Sequence, residues 1–260
     1  MTNDYSLKLL YSGSGGNAAL LTTKGATILI DAGCTAKTLC TSLASQGCDP
    51  DRIDAIFLTH EHHDHVGALN VFLKHHKTPV HTVAACAEKL RTSGDAIASC
   101  LVEHAPLFSV TVGDVTLTSF QTLHDSAGSV GYRITVQGEN AEHTLAYATD
   151  LGTVTDTVEA AMLGAEAVVI ECNHDEEMLT TGPYPYYLKK RIASRYGHLS
   201  NPDCAALCAR LAACGTKRFL LAHLSETNNL PDLALGEVRA ALAGFCAEVR
   251  AASPDTVTTL

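Results

Sequence analysis

The chain has 260 residues, 46% of them apolar and 18% charged, and a formal net charge of −10. That balance excludes disorder over most of its length, and no apolar run reaches the roughly 20 residues that span a bilayer. Residues 1–10 have neither the basic start nor the apolar core of a secretory leader, so a cytoplasmic protein without a membrane segment is expected. The ten cysteines are scattered with no Cys-x-x-Cys pair, which predicts reduced thiols rather than a disulfide framework. With this excess of acid, attraction to a polyanion has to come from a local basic patch or from bound metal.

In chain order, short apolar runs predict strands at 7–11, 18–22, 27–30, 55–58, 115–120, 130–136, 144–148, 167–170 and 219–221. Apolar residues at helical spacing predict helices over 36–46, 66–75, 84–92, 156–162, 186–196, 202–214 and 233–249. Strands lead and helices then alternate with them, a pattern of layered sheets covered by helices. No repeat, low-complexity tract or linker interrupts it, so one domain over 1–260 is expected.

Five of the apolar runs stop at a polar residue: Asp31, His60, Asp150, Glu171 and His223. Strand ends gathered on one edge are where layered α and β folds build their sites. The densest cluster is His60-Glu61-His62-His63-Asp64-His65. Residues two apart in an extended segment point the same way, so His60 and His62 can grip one ion, while Asp64 and His65, turning into a helix, can face another. Imidazole and carboxylate together suit zinc, manganese, iron or nickel. A zincin is excluded, because its two histidines stand four apart and His60 has Asp64 in that place.

At these residues the sequence resembles the metallo-β-lactamase superfamily, whose signature His-x-His-x-Asp-His is matched by His60, His62, Asp64 and His65. Asp31, His124, Asp150 and His223 follow the family order, and the resemblance covers nearly the whole chain. It implies an αββα sandwich, two packed mixed β-sheets flanked by helices, with a two-metal hydrolytic site along one edge. It further implies that His60, His62 and His124 hold the first metal and Asp64, His65 and His223 the second. Asp150 would bridge them, Asp64 would also take part in catalysis, and Asp31 would accept a ligand histidine's N–H. The expected cofactors are two divalent transition-metal ions, Zn, Mn or Fe, which share a hydroxide and suit phosphodiester and ester hydrolysis. Segments such as Ser12-Gly13-Ser14-Gly15-Gly16-Asn17, Glu171-Cys172-Asn173-His174-Asp175 and Gly197-His198-Leu199-Ser200-Asn201 resemble the WalJ/YycJ-like subgroup. That subgroup implies a cytoplasmic bacterial enzyme with nuclease activity on DNA.

Three further features bear on substrate. The Gly-rich turn at 12–17 is either a tight turn between strands or, if it faces the metals, places Ser14 and Asn17 to touch substrate or support a ligand. Tyr184, Tyr186, Tyr187 and Tyr196 share a window with Lys189, Lys190, Arg191 and Arg195. Such a window is either a solvated basic helix face or a surface that stacks bases and tracks phosphates. His198 is left over once the seven ligands are assigned, and is expected either to donate a proton to the leaving group or bind a nonbridging phosphate oxygen, or else to cap the following helix or satisfy a buried group. The remaining histidines His63, His75, His76, His81, His104 and His143 are expected to be ordinary surface residues. The reading is a dinuclear phosphodiesterase or nuclease on DNA, with hydrolysis of a small thioester, lactone or cyclic nucleotide as the alternative. Oligomeric state and the roles of Glu171, Asn173 and His174 stay open.

Overall fold

The computed structural model describes residues 4–260. Strands β1 (Tyr5–Tyr11), β2 (Ala18–Thr23) and β3 (Thr27–Ile30) form an antiparallel meander. Strands β4 (Ala55–Phe57), β5 (Val80–Val83) and β6 (Leu101–His104) then add to β3 in parallel. The second sheet repeats this plan. Strands β7 (Ser109–Val112), β8 (Val115–Gln121), β9 (Val130–Gln137) and β10 (Glu142–Ala148) meander, and β11 (Ala167–Glu171), β12 (Arg218–Ala222) and β13 (Glu248–Ala251) continue in parallel. A short β14 (Thr258–Thr259) returns to β1, giving two seven-stranded mixed sheets.

Period-two alternation decides which side chains meet between the sheets. From β9, Val130, Tyr132, Ile134 and Val136 face inward, and they pack in one core with Leu7, Leu9, Ile28, Ile30 and Phe57 of the first sheet. The outer face of the first sheet is covered by α1 (Ala36–Ser45), α2 (His63–Val66), α3 (Leu69–His75), α4 (Ala84–Leu90) and α5 (Asp95–Ala98), where Leu39, Leu43, Leu69 and Phe72 pack on Leu29 and Ile56. On the second sheet α6 (Asp156–Met162), α7 (Glu176–Thr181), α8 (Tyr186–Ile192), α9 (Asn201–Ala213) and α10 (Pro231–Ala241) follow, with Val158, Leu207, Leu211 and Val238 against Val168 and Ile170. β11 is buried along its whole length, as a parallel strand covered on both faces must be. The αββα expectation holds.

Several boundaries differ from the sequence expectation. The helix expected over 66–75 is two, α2 and α3. The one expected over 233–249 stops at Ala241, and Gly244, at φ 97°, reverses the chain so that β13 can pair with β12. Strands β5, β6, β7, β13 and β14 lacked a clear signal because they are short and, apart from β5, lie partly exposed at sheet edges. Among the described residues no helix is long and apolar enough to cross a membrane.

A candidate metal centre at the strand ends

The carboxyl ends of β3, β4, β8, β10, β11 and β12 share one edge, and just beyond them lie Asp31, His60, His124, Asp150 and His223, with Glu171 the last residue of β11. Three of these residues sit in left-handed backbone, Asp31 at φ 61°, Asp150 at 55° and His223 at 54°. That conformation costs of the order of 1–3 kcal/mol for a residue with a Cβ. It persists because the surrounding hydrogen bonds fix it: Asp31 N–H donates to Phe57 O at 2.9 Å and His223 N–H to Ser12 Oγ at 2.8 Å. Gly33 lets the loop holding His60 to His65 approach this edge, since a Cβ there would meet Asp64 O at 1.9 Å. Beside it Asn17 N–H donates to Asp64 O and Ala32 N–H to His65 O.

Four imidazoles use Nδ1 to bind a partner away from the cluster. His65 Nδ1 lies 2.8 Å from Asp31 Oδ2, His223 Nδ1 2.7 Å from Glu171 Oε1, and His124 Nδ1 3.0 Å from Gly197 O. His60 Nδ1 lies 3.1 Å from Thr59 Oγ1, whose hydroxyl donates to Asp31 Oδ2 at 2.9 Å. These partners engage each Nδ1 and leave each Nε2 pointing into the cluster. His62 presents its Nδ1 instead, 3.3 Å from His124 Nε2.

The free atoms converge. His60, His62 and His124 offer nitrogens within 4.8 Å of one another; so do the ligand atoms of Asp64, His65 and His223, and those of His60, His65 and Asp150. His60 Nε2, His223 Nε2 and Asp150 Oδ2 are buried with no hydrogen-bond partner. Buried polar groups are seldom left unpaired, and three of them on residues of overlapping ligand groups, with Asp150 Oδ2 also 3.1 Å from His65 Nε2, are what a bound cation explains. The donor set, imidazole with carboxylate, is the one borderline divalent transition metals prefer. Burial favours the neutral form of His60 and holds its pKa well below the ordinary value. At His223 burial acts the same way, but Asp150, Asp64 and Glu171 outweigh it and raise the pKa to about 10. Asp150 shows the reverse balance: burial raises it, and the imidazoles of His223, His65 and His60 bring it well below the carboxylate range.

Glu171 ties this cluster to the next layer. Its Oε1 accepts from His223 and, at 2.8 Å, from His198 Nδ1, while Oε2 accepts the N–H groups of Leu151 and Leu199. Burial opposes its ionisation, yet these imidazoles hold its pKa down at about 2. With both oxygens occupied, Glu171 is a positioning group. The His198 ring stands 5.1 Å from those of both His124 and His223. It does not cap α9; Ser200 does, accepting from Asp203 N–H. Sequence reasoning missed Thr59 and left Glu171 open. Its signal for Glu171 was the strand that ends on a carboxylate, and for Thr59 a hydroxyl in an otherwise apolar run.

Ser14 is exposed and lines a cleft of about 240 Å³ with His198, Asn173, Tyr184 and Arg191. Asn17, expected at the substrate or behind a ligand, is buried. Its Nδ2 donates to Gly13 O and lies 3.3 Å from Asp64 Oδ2 and 3.1 Å from His65 Nε2, so its amide is spent behind the ligands. On α8 the three cations are engaged: Lys189 Nζ donates to Thr180 O, Lys190 lies 4.8 Å over the Tyr186 ring, and Arg191 pairs with Asp125. Of the histidines expected at the surface, His63 and His75 are exposed. His76, His81, His104 and His143 are half-buried, His81 Nδ1 lying 2.9 Å from His104 Nε2.

Residues 26–224 match the β-lactamase superfamily domain. The exodeoxyribonuclease WalJ of Streptococcus pneumoniae serotype 2 strain D39 is 32% identical over 98% of this chain and 97% of its own length. The exodeoxyribonuclease YycJ of Bacillus anthracis is 35% identical over 87% of this chain and 84% of its own. Among solved structures, the metallo-β-lactamase fold protein YhfI from Bacillus subtilis superposes with a TM-score of 0.73 at 20% identity, covering 98% of this chain and 99% of that one. With its two mixed sheets, its His-x-His-x-Asp-His loop and relatives matched over nearly the full length, the chain belongs to the metallo-β-lactamase superfamily.

Proposed function

We propose that this hydrolase cleaves phosphodiester bonds of DNA with two divalent ions. The observation that carries the reading is that His60 Nε2, His223 Nε2 and Asp150 Oδ2, on residues of overlapping candidate ligand groups, are buried without a hydrogen-bond partner. His60, His62 and His124 would hold one ion, Asp64, His65 and His223 the other, and Asp150 would contact both. Ions bound there supply Lewis acidity toward phosphate oxygens and acidify water. The names of the two curated relatives support DNA as the substrate.

The chain's own groups do the rest. Asp64 is the cluster's least covered carboxylate, its side chain 25% exposed. Burial alone would favour its protonation, but His223 and His65 keep it ionised, so it accepts a hydrogen bond from attacking water. His198, steadied at Nδ1 by Glu171, delivers a proton from Nε2 to the departing oxygen. Ser14 and Arg191 face the phosphate across the shared cleft. Tyr186 and Tyr187, 71% and 74% exposed on α8, stack bases while Lys189 and Lys190 follow the backbone.

The test offers end-labelled single- and double-stranded DNA, a thioester and a lactone to protein loaded with Zn²⁺, Mn²⁺ or Fe²⁺. DNA cleavage that a chelator abolishes is expected. Turnover of the thioester or lactone with none of DNA would overturn the reading.

A further inference from the structure

We propose that a neutral slot on the far side of His124 receives the nucleobase next to the scissile phosphate; the proposal rests on the nuclease reading above and deepens it. Two clefts flank residues 124–126. Asp125 lines the one that also carries Arg191 and His198, whereas His124 and Ser126 line the other, of about 230 Å³. Apart from the His124 imidazole, no lining residue of this second cleft is titratable. Its walls are the methyls of Val83, Ala84 and Ala85 and the Pro106 ring, interrupted by Gln121, Thr122, Ser126 and Ser129.

A chain of diesters presents one charged group, the phosphate, flanked by neutral sugars and bases. The charged cleft suits the first and the neutral one suits a flat group with apolar faces and hydrogen-bonding edges. Its shape agrees. A Cβ built on Gly128 would meet Val83 Cγ2 at 3.0 Å and Ala85 Cβ at 3.5 Å, so the loop 125–129 and the start of α4 face each other closely. Ser126 Oγ is buried without a hydrogen-bond partner, a hydroxyl left over for a ligand edge.

The slot is also held firmly. Glu61 Oε1 accepts the Ala127 N–H at 2.7 Å, and Cys86 Sγ lies 3.1 Å from Glu61 Oε2 and 2.8 Å from Gly128 O. Glu61 stands between His60 and His62, so the residue that braces the wall of the slot is covalently joined to two of the first trio. A wall fixed before binding costs little ordering when the base enters. Thr122 and Ser129 hydrogen-bond each other, so an apolar acyl group would leave the Ser126 hydroxyl of this wall without a partner.

The experiment compares wild-type protein with Ala85→Leu, which adds atoms at an exposed residue that lines the slot. Both are loaded with Mn²⁺, checked for equal metal content, and given oligonucleotides that are intact or abasic on either side of the scissile phosphate. Wild type should lose about tenfold in kcat/KM when the base on one side is removed. Ala85→Leu should lose a similar factor on intact DNA and show no further loss on the abasic strand. Equal abasic penalties in the two proteins, or none in wild type on either side, would overturn the slot while leaving the nuclease reading in place. Failure of wild type to cleave any strand would instead remove the nuclease reading, and the slot with it.

Discussion

At the residue scale, the cluster is built by what stands behind each imidazole. Asp31, Glu171, the Gly197 carbonyl and Thr59 hold the Nδ1 atoms of His65, His223, His124 and His60, so each Nε2 is aimed into the cluster. The residues gathered in the cluster were legible in the sequence because the motif is local: four of the seven candidates fall within residues 60–65. Thr59 and the double duty of Glu171 were not, because an acceptor shared by His198 and His223 is a contact across strands that no local pattern encodes. For His198 the outcome is specific. His198→Ala should keep its metals and its melting temperature and lose about a hundredfold in kcat with KM little changed. Near-normal kcat in a fully metallated variant would return His198 to a purely structural place.

Element boundaries follow the same division between local and distant causes. α9 was legible to within a residue, since Ser200 caps it and Pro202 fits its first turn. α8 was expected to run to 196 and ends at Ile192, where Ala193 N–H still bonds to Lys189 O and the chain then turns toward His198. That early end places Arg191 and Ile192 in the cleft with His198 while Tyr186, Tyr187 and Lys190 face solvent. The consequence is measurable at the level of the helix. Replacing Lys189, Lys190 and Arg191 together by Ala should weaken binding to single-stranded DNA and flatten its salt dependence, by a slope of about 0.7 for each phosphate contact removed. Because Arg191 is paired with Asp125 and Lys189 with Thr180 O, the change should be smaller than three full contacts. An unchanged slope in the folded variant would take α8 out of the substrate path.

Across the whole molecule, the two sheets present strand ends to the cluster on one edge and are joined by polar contacts at strand starts on the other. There Tyr5 hydrogen-bonds Glu166, Arg218 pairs with Glu166, and His143 lies 3.1 Å from both Asp4 and Glu166. Hydrogen bonds to Glu166 and Asp4 raise the His143 pKa in the folded state above its ordinary value of 6.5. A base so raised adds stability that is complete below pH 6.5 and is lost as pH climbs through the folded pKa. His143→Gln should therefore cost most stability below pH 6.5 and progressively less as pH climbs above it; a cost independent of pH would contradict the pairing. The layered class was legible from alternating strands and helices, but the repeat of meander and parallel halves was not, because the edge strands β6, β7, β13 and β14 carry too few apolar residues to register. The central claim joins the scales: one cluster, two ions, hydrolysis of DNA. Its most direct measurement is a titration of metal-stripped protein with Mn²⁺ or Zn²⁺, reading DNA hydrolysis against equivalents added. Activity should rise and break at two equivalents per chain; a break at one, or no DNA hydrolysis at any loading, would contradict the account.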